Sequence, residues 1–272
     1  MKPFRTPYFN YLHLRTQDYS KLVLSDQIHS SYEFLYFLGG EVDVMINGHT
    51  YQLKKRDLLL FHPGVYHRIM PNESIEYERI CIHFQKQALR EPFQKIIDTL
   101  KPVCHVHKYS AIDNVFNSLI DAEYKNGYSQ EDITSLISQS FGIIITHLKY
   151  LQAEESIAPV DTNQFVNDVL DYIDQNITKP INIETISKAF FKSPSSIAHN
   201  FSLVMKTPIQ QYITNKKIVY AQILIQQGIA PTSVALQLAF KDYSTFFKAY
   251  KRILGVAPTK DAQTIKVDVD PK

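Results

Sequence analysis

Three polar residues in the N-terminal quarter of the chain have side chains that can bind metal ions or hydrogen-bond small molecules. They are His29, Glu33 and His67. Two imidazoles and a carboxylate can hold iron or another divalent ion as a facial triad. The same groups can instead hydrogen-bond a bound molecule or one another. Which chemistry applies depends on the elements that position the three side chains.

The sequence around these residues has the composition and turns of short β-strands. Residues 33–38, 42–46 and 49–53 are rich in aromatic and β-branched side chains, and Asn47-Gly48 predicts a tight hairpin turn. Further strands are predicted at 57–61 and 76–84. Many short strands with such turns predict a small barrel or jelly roll.

The spacing of the polar residues is similar to the two motifs of the cupin barrel. The matching residues are His29, Glu33, Gly40, Pro63, Gly64 and His67. The resemblance implies that the imidazoles and the carboxylate converge inside the barrel. Cupin enzymes have a further His where this chain has Gln27, and an amide is a poor metal ligand. We therefore expect no metal and assign His29, Glu33 and His67 to contacts with a small-molecule effector.

The side chains near the rim of the predicted pocket suggest what the effector is. Tyr36 and Arg68 are second choices for effector contacts, and about half of the rim side chains should face inward by strand alternation. The rim residues are Tyr32, Phe34, Tyr36, Tyr51, Tyr66 and Arg68. Aromatic faces with polar neighbours suit a sugar, although aromatic residues on strands are also ordinary core residues. A sugar effector is therefore an expectation that rests mainly on the resemblance.

The C-terminal third contains one pattern twice. Residues 181–208 and 228–258 each have an apolar-periodic helix, a short polar break and a second helix. A second helix that starts so soon must pack across the first, which is the helix-turn-helix geometry. Between the copies, residues 209–225 have apolar side chains at helical spacing and neither Gly nor Pro, which predicts one long connecting helix. Such a helix would hold the two units about one DNA turn apart, roughly 34 Å.

This stretch resembles the DNA-binding domain of AraC/XylS-type transcription regulators. The resemblance lies in residues 193–197 with Phe201, in Tyr212-Ile213, in Ala221 and Leu224, and in residues 239–252 and 255–258. The usual N-terminal partner of such domains is a cupin-like domain that senses small molecules. The chain departs from the family at Ala239, where Gly is usual, and near His199, where Arg or Lys is usual.

The resemblance assigns the DNA contacts to the two recognition helices. Base contacts are expected from Ser195, Ser196, Ala198 and His199 in the first copy, and from Tyr243, Ser244, Thr245, Phe247 and Lys248 in the second. Phosphate contacts are expected from Lys192, Lys206, Lys216, Lys217, Lys251 and Arg252. Because the base-contact set includes no Arg for bidentate guanine recognition, we expect modest affinity of one subunit and a homodimer on direct repeats in promoter DNA.

Charge and composition agree with a double-stranded DNA binder. Residues 176–260 carry eleven basic and two acidic side chains, a net charge of +9, whereas the rest of the chain carries −7. A basic module on an acidic body is typical of nucleic-acid binding, although a solvated helical surface can have the same charge. No apolar run reaches the ~18–20 residues of a membrane span and no signal peptide is evident. We expect a cytoplasmic protein with no membrane partner.

The 272 residues suffice for two domains in an α+β chain. Residues 1–155 are predicted to form the cupin-like effector and dimerisation domain, with a helical pair at about 110–152. Residues 156–163 are the predicted linker, and residues 164–262 the all-α domain with two helix-turn-helix units joined by a long helix. The helical pair has wide apolar faces, which either pack within the chain or bury a stripe against a second subunit. We favour dimerisation.

Three classes of function fit these patterns. The first, which we favour, is a non-enzymatic, ligand-responsive transcription regulator, in detail an activator of carbohydrate genes with RNA polymerase as a further partner. The second is a cupin-type metal enzyme with an appended DNA-binding module, and Gln27 argues against it. The third is a ligand-independent DNA binder. In the first class the barrel must contact something that moves, and residues 1–16 and the helical pair are the candidates.

Overall fold

A computed structural model describes residues 4–6, 8–18, 27–71, 76–108, 110–124, 128–154 and 157–261. The strands are β1 Phe4–Arg5, β2 Phe9–Thr16, β3 Tyr32–Gly39, β4 Val42–Ile46, β5 His49–Leu53, β6 Asp57–Phe61, β7 His67–Pro71, β8 Tyr77–Phe84, β9 Val103–His105 and β10 Asp161–Thr162. The helices are α1 Glu91–Ile96, α2 Ala111–Tyr124, α3 Gln130–Glu154, α4 Gln164–Gln175, α5 Ile183–Phe190, α6 Pro194–Met205, α7 Ile209–Gln226, α8 Pro231–Gln237, α9 Tyr243–Leu254 and α10 Pro258–Asp261. Among the described residues, no helix is both long and apolar enough to cross a membrane.

The N-terminal strands form two facing sheets. One has the strand order β1-β2-β8-β3-β6-β9 and the other β10-β5-β4-β7. Alternate residues of β3, such as Leu35 and Phe37, meet Val44 and Ile69 from the opposite sheet in one buried cluster. The predicted barrel is thus a β-sandwich, and the α+β class with a separate helical domain is confirmed.

Strand β2 was not predicted from the sequence. It pairs with β8 over eight register positions, from Phe9 opposite Phe84 to Thr16 opposite Tyr77. Phe9 and Tyr11, two residues apart, are both buried, and their spacing is the strand signal. Most of the segment 1–16, expected as a movable arm, therefore belongs to a sheet.

The helical pair covers the outer face of the six-stranded sheet. On α3, Ile137, Phe141, Ile144, Ile145 and Leu148 are at most 2% exposed and share one core cluster with apolar residues of the sheet. These helices also pack against each other. The wide apolar face is thus buried within the chain, and the rival interpretation, internal packing, is correct for this stripe. It gives no support to dimerisation.

The predicted linker is partly a strand. Asp161 and Thr162 pair with Thr50 and His49 of β5, and the Val160 amide donates to the Thr50 carbonyl at 2.7 Å. The chain is therefore hydrogen-bonded to the sandwich up to the start of α4. Residues 155 and 156, at the predicted boundary, lie outside the described residues.

Each recognition helix begins at a residue whose side chain caps the first turn. The Ser193 hydroxyl accepts from the Ser196 amide at the start of α6, and the Asp242 carboxylate accepts from the Thr245 amide at the start of α9. Such caps satisfy amides that have no partner within the helix. The polar breaks of the sequence pattern are thus the residues that start both second helices.

Candidate nucleic-acid interface and sandwich site

The two recognition helices each have a buried and an exposed face. Ile197 and Phe201 of α6 and Phe246 and Tyr250 of α9 are fully buried, as the sequence predicted for the inward face. Ser195, His199, Tyr243, Ser244, Thr245 and Lys248 are exposed, and Ser196, Ala198 and Phe247 are partly exposed. The predicted base-contact residues therefore lie on the outward faces of two helices in two similar units. Hydroxyl, imidazole and ammonium groups on such a face can hydrogen-bond base edges.

Four of the basic residues assigned to phosphate contacts are exposed at the ends of these helices. Lys192 precedes the cap of α6, Lys206 follows that helix, and Lys251 and Arg252 lie in the last turn of α9. The Lys192 ammonium lies 5.1 Å from the centre of the Phe165 ring. Long cationic side chains in these positions can reach the DNA backbone beside a groove-bound helix.

Lys217, also assigned to phosphate contacts, is buried instead. Its ammonium donates to the carbonyl of Lys179 at 2.9 Å and to that of Leu238 at 2.7 Å. It also lies 5.8 Å from the centre of the Phe240 ring. Burial lowers the pKa of Lys217 below its ordinary value. A phosphate role for Lys217 is therefore wrong, because its donors bind backbone within the domain.

Lys216 points toward the sandwich rather than toward a DNA surface. It forms an ion pair with Asp174 of α4. Both residues line a cavity of about 280 Å³ between the helical domain and the sandwich loop that contains Pro63 and Gly64. The phosphate contact predicted for Lys216 did not take the helical period into account, and adjacent positions on one helix face different directions.

The turns of both helix-turn-helix units contain a residue in the left-handed region. Phe191 and Ala239 both have φ +53°. The turn geometry expected in the second unit is thus present although Ala239 stands where the family usually has Gly. Phe191 is 96% exposed, so packing does not offset its backbone strain.

Inside the sandwich, three imidazoles surround one buried carboxylate. Glu33 Oε2 lies 3.1 Å from His29 Nε2 and 3.5 Å from His67 Nε2, and Glu33 Oε1 lies 3.7 Å from His83 Nε2. All four residues are at most 8% exposed. The predicted trio thus comes together, with His83 as a fourth member.

The sandwich places Gln27 beside this cluster. The side-chain oxygen of Gln27 lies 3.0 Å from His67 Nε2, and His67 stacks on Phe61 with ring centres 3.8 Å apart. Burial alone would raise the pKa of Glu33, but His83 and the hydrogen bonds with His29 and His67 hold that pKa well below its ordinary value. Burial lowers the pKa of His67. Glu33 is therefore a buried anion in an imidazole cage.

Sequence reasoning missed His83 because it belongs to neither cupin-like motif. The strand register places it directly opposite Glu33, in the neighbouring strand β8. Opposed residues in antiparallel strands have adjacent side chains. The only sequence signal was a His at an alternating position of the predicted strand 76–84, and the partner strand was unknown.

Tyr36 and Arg68, the second choices, lie away from this cluster. Tyr36 is on the opposite face of β3 from Glu33, where its hydroxyl donates to Asp113 at 2.7 Å and its ring stacks on Phe116. The Arg68 guanidinium donates to the Tyr66 hydroxyl at 3.4 Å, toward the helical domain. Strand alternation explains both placements.

The sandwich contacts the first helix-turn-helix unit directly. The Tyr66 hydroxyl donates to the Met205 carbonyl at the end of α6 at 2.8 Å. Tyr66 and Met45 share a buried cluster with Val166, Phe201 and other residues of the helical domain. His49 and Asn167 also meet, with 3.2 Å between their side-chain nitrogens. The sandwich thus contacts the helical domain outside the two segments, residues 1–16 and the helical pair, that the sequence suggested.

Comparison with known proteins identifies both parts of the chain. The model of the AraC-like ligand binding domain matches residues 10–142, and that of a helix-turn-helix domain matches residues 186–263. The probable transcriptional regulator LumQ of Photobacterium leiognathi is 27% identical over 144 residues, 53% of this chain and 56% of LumQ. The regulatory protein SoxS of Salmonella typhimurium is 22% identical over 97 residues, 35% of this chain and 91% of SoxS.

A solved structure of ToxT from Vibrio cholerae covers 95% of this chain and 100% of that chain, with a TM-score of 0.41 and 14% identity. The match to LumQ spans about half of that relative's length. The two family models together cover most of both domains described above. The chain belongs to the AraC-type family of transcriptional regulators.

Proposed function

We propose that this protein is a sequence-specific DNA-binding regulator of transcription whose affinity for promoter DNA changes when a small molecule binds the sandwich. The observation that carries this proposal is the pair of exposed recognition faces, on α6 and α9, within a segment of net charge +9. Helices of this kind enter the major groove with their polar face toward the bases.

Two kinds of contact would share the work on DNA. Lys192, Lys206, Lys251 and Arg252 would bind phosphates and set the position of each unit. The hydroxyls of Ser195, Ser244 and Thr245 would accept or donate at base edges, with His199 and Lys248 as further donors, and Phe247 and Ala198 would contact thymine methyl groups. Ser196 and Tyr243 complete the proposed base-contact set. Because each unit has few side chains that make strong contacts with DNA bases, binding of a second subunit at a repeated site would raise affinity.

A salt titration tests the phosphate part without knowledge of the operator. In fluorescence anisotropy with a random-sequence duplex, Lys251→Ala should lower the slope of log K against log salt by about one unit. Lys149→Ala on α3, also an exposed lysine, is the matched control and should leave the slope unchanged. Equal slopes for wild type and Lys251→Ala would remove Lys251 from the interface, and no binding by the wild type would overturn the proposal.

The effector part of the proposal places the small molecule near His29, Glu33 and His67. Its support is a buried polar cluster one residue from the domain interface: His67 belongs to the cluster, and Tyr66 donates to Met205. A ligand changes DNA affinity only if it favours one arrangement of the domains over another. Coupling of about 5–150-fold in DNA affinity is the range that such switches reach.

Finer features of the function stay predictions from the sequence. They are a sugar as the effector, activation of carbohydrate genes, contact with RNA polymerase, a homodimer on direct repeats, and a cytoplasmic location. A thermal-shift screen of small molecules on the full chain would test the effector: a sugar that stabilises wild type but not His67→Gln supports both the class and the site.

A further inference from the structure

The contacts of His29 in the sandwich allow its ring proton to be on either nitrogen. Its Nδ1 lies 2.9 Å from the carbonyl oxygen of Ser31. The Ser31 hydroxyl, 3.3 Å from Nδ1, can donate to a neutral ring whose proton is on Nε2; when Nδ1 instead donates to the carbonyl, the ring presents a lone pair on Nε2. That lone pair faces Glu33 Oε2 at 3.1 Å, which is also an acceptor. In that tautomer a cation is needed between the two atoms, whereas in the other tautomer Nε2 donates to Glu33.

The ligand atoms around this gap have the spacing of a metal site. His29, Glu33 and His83 each offer one atom, and all these atoms lie within 4.8 Å of one another. Within the described ranges, no other group of three His, Cys, Asp or Glu side chains meets this condition. Two nitrogen or oxygen ligands at about 2.1 Å from one ion lie roughly 3.0–3.4 Å apart. The separations of 3.1 and 3.7 Å from Glu33 to the two imidazoles need only small adjustments.

The side chains around the three ligands also fit such a site. Metal-bound imidazoles commonly donate their second N–H to a backbone carbonyl, and His29 Nδ1 is placed to do so, 2.9 Å from the Ser31 carbonyl oxygen. His67 Nε2 lies nearer to Glu33 than His83 Nε2 does, at 3.5 against 3.7 Å, but it also lies 3.0 Å from the side-chain oxygen of Gln27. Since an amide oxygen accepts, His67 Nε2 is engaged as a donor and His83 is the second imidazole available to a metal. The ligand set therefore differs from the one that the sequence motifs implied, in which His67 was the second imidazole.

We propose that His29, Glu33 and His83 bind one divalent transition-metal ion inside the sandwich. Two imidazoles and a carboxylate favour Fe²⁺, Co²⁺, Ni²⁺ or Zn²⁺ over Mg²⁺ and Ca²⁺, which prefer all-oxygen sites. Three protein ligands leave further coordination positions open. This inference concerns metal binding alone and does not depend on the proposed DNA function.

Cobalt titration of the full chain tests the proposal. The protein is stripped with a chelator, dialysed and titrated with Co²⁺, and the visible ligand-field absorption is followed. We expect saturation at one Co²⁺ per chain, with no competition from Mg²⁺. Glu33→Gln and His83→Ala should weaken binding about 100-fold or more, since even outer partners of metal ligands change affinity about 10–100-fold. His147→Gln, an exposed histidine on α3, should bind as wild type does.

A second variant keeps the test decisive if His83→Ala does not fold. In His83→Cys a thiolate replaces the imidazole, and bound Co²⁺ should show a thiolate charge-transfer band that is absent from the wild type, which controls for Cys81 and Cys104. No saturable binding by the wild type would overturn the proposal. So would wild-type affinity in a folded His83→Ala protein, or His83→Cys that lacks the band.

Discussion

Ala239 lies in the turn of the second helix-turn-helix unit with φ +53°. In this region a Cβ atom crowds the following carbonyl oxygen, at about 1–2 kcal/mol per residue, whereas Gly has no such contact. The fold therefore holds a strained alanine between α8 and α9. This turn sets the position of the recognition helix α9. The fold tolerates the strain at Ala239 because the chain must turn there.

Replacement of Ala239 by Gly should stabilise the protein by about 1 kcal/mol, because the strain is removed and no large side chain is lost. Chemical denaturation followed by circular dichroism measures the effect. Ala249→Gly, inside α9, is the matched control and should destabilise by about 1 kcal/mol, since Gly is a poor helix former. If Ala239→Gly were destabilising by as much as the control, the turn would not have the backbone described.

At the same scale, the sandwich cluster shows what a single sequence can and cannot predict. His29, Glu33 and His67 were predicted because their spacing resembles known motifs, and they do converge. His83 could not be found, because its neighbour is determined by strand register rather than by spacing along the chain. Tyr36 and Arg68 were assigned to the pocket wrongly for a related reason. Strand alternation places neighbouring residues on opposite faces of a sheet, but it does not say which face contains the cluster.

Among the elements of the helical domain, α7 connects the two DNA-binding units through one buried lysine. Lys217 donates to the carbonyl of Lys179, before α5, and to that of Leu238, at the end of α8. Its cationic donors satisfy two backbone acceptors, one just before the first unit and one inside the second. The long helix was predicted from its apolar spacing. Which face of the helix each lysine occupies was not predicted, because Lys216 and Lys217 are adjacent and identical in the sequence.

Lys217→Met keeps a side chain of similar length and removes both hydrogen bonds. We expect a loss of about 2 kcal/mol in the free energy of unfolding, because charged hydrogen bonds are strong and the carbonyls stay buried. Lys216→Met, which loses an ion pair with the exposed Asp174, should lose about 1 kcal/mol or less. Equal losses in the two variants, measured by urea denaturation, would contradict the role given to Lys217.

Another lateral contact joins β2, β8 and α2 through His13. Its Nδ1 lies 2.8 Å from Glu123 and its Nε2 lies 3.0 Å from Glu78, while Tyr11 and Tyr124 are close by. Burial alone would lower the pKa of His13, but the two carboxylates outweigh burial and raise that pKa above 6.5. The folded sandwich therefore binds this proton more tightly than the unfolded chain does.

The stability that His13 contributes should be complete below about pH 6.5, its unfolded pKa, and be lost as pH rises through the folded pKa. The difference in unfolding free energy between wild type and His13→Gln should thus shrink as pH rises above about 6.5. Ser118→Ala, an exposed control on the same domain that removes no titratable group, should show no such trend. A difference that grew with pH would reverse the sign of the assigned shift.

For the whole molecule, the domain boundary is a packed contact rather than a free linker. Strand β10 pairs with β5, and Tyr66 and Met45 are buried among residues of the helical domain. Composition predicted a linker at 156–163 because polar and Pro-containing segments are often unstructured. The two-domain organisation was predictable from the repeated motif and the charge distribution, whereas the interface was not, because it brings together residues far apart in sequence.

Tyr66→Phe should weaken this interface by about 1 kcal/mol, since it removes the donor to the Met205 carbonyl and leaves the ring in place. Calorimetry of the full chain should show the helical domain unfolding at a lower temperature. Tyr51→Phe, a buried tyrosine within the sandwich core, is the control and should leave the transition of the helical domain unchanged. A shift in the control alone would show that the Tyr66 contact does not link the domains.

The most direct test of the account is selection of binding sites by the full chain from a random pool of duplex DNA, followed by sequencing. We expect enriched sites with two short motifs whose centres lie about 10 base pairs apart, because the units on α6 and α9 would read successive major-groove turns. Ser244→Ala with Thr245→Ala should change one motif and leave the other intact. Selection that enriches no motif, or an identical pair of motifs for the variant, would contradict sequence recognition by these two helices.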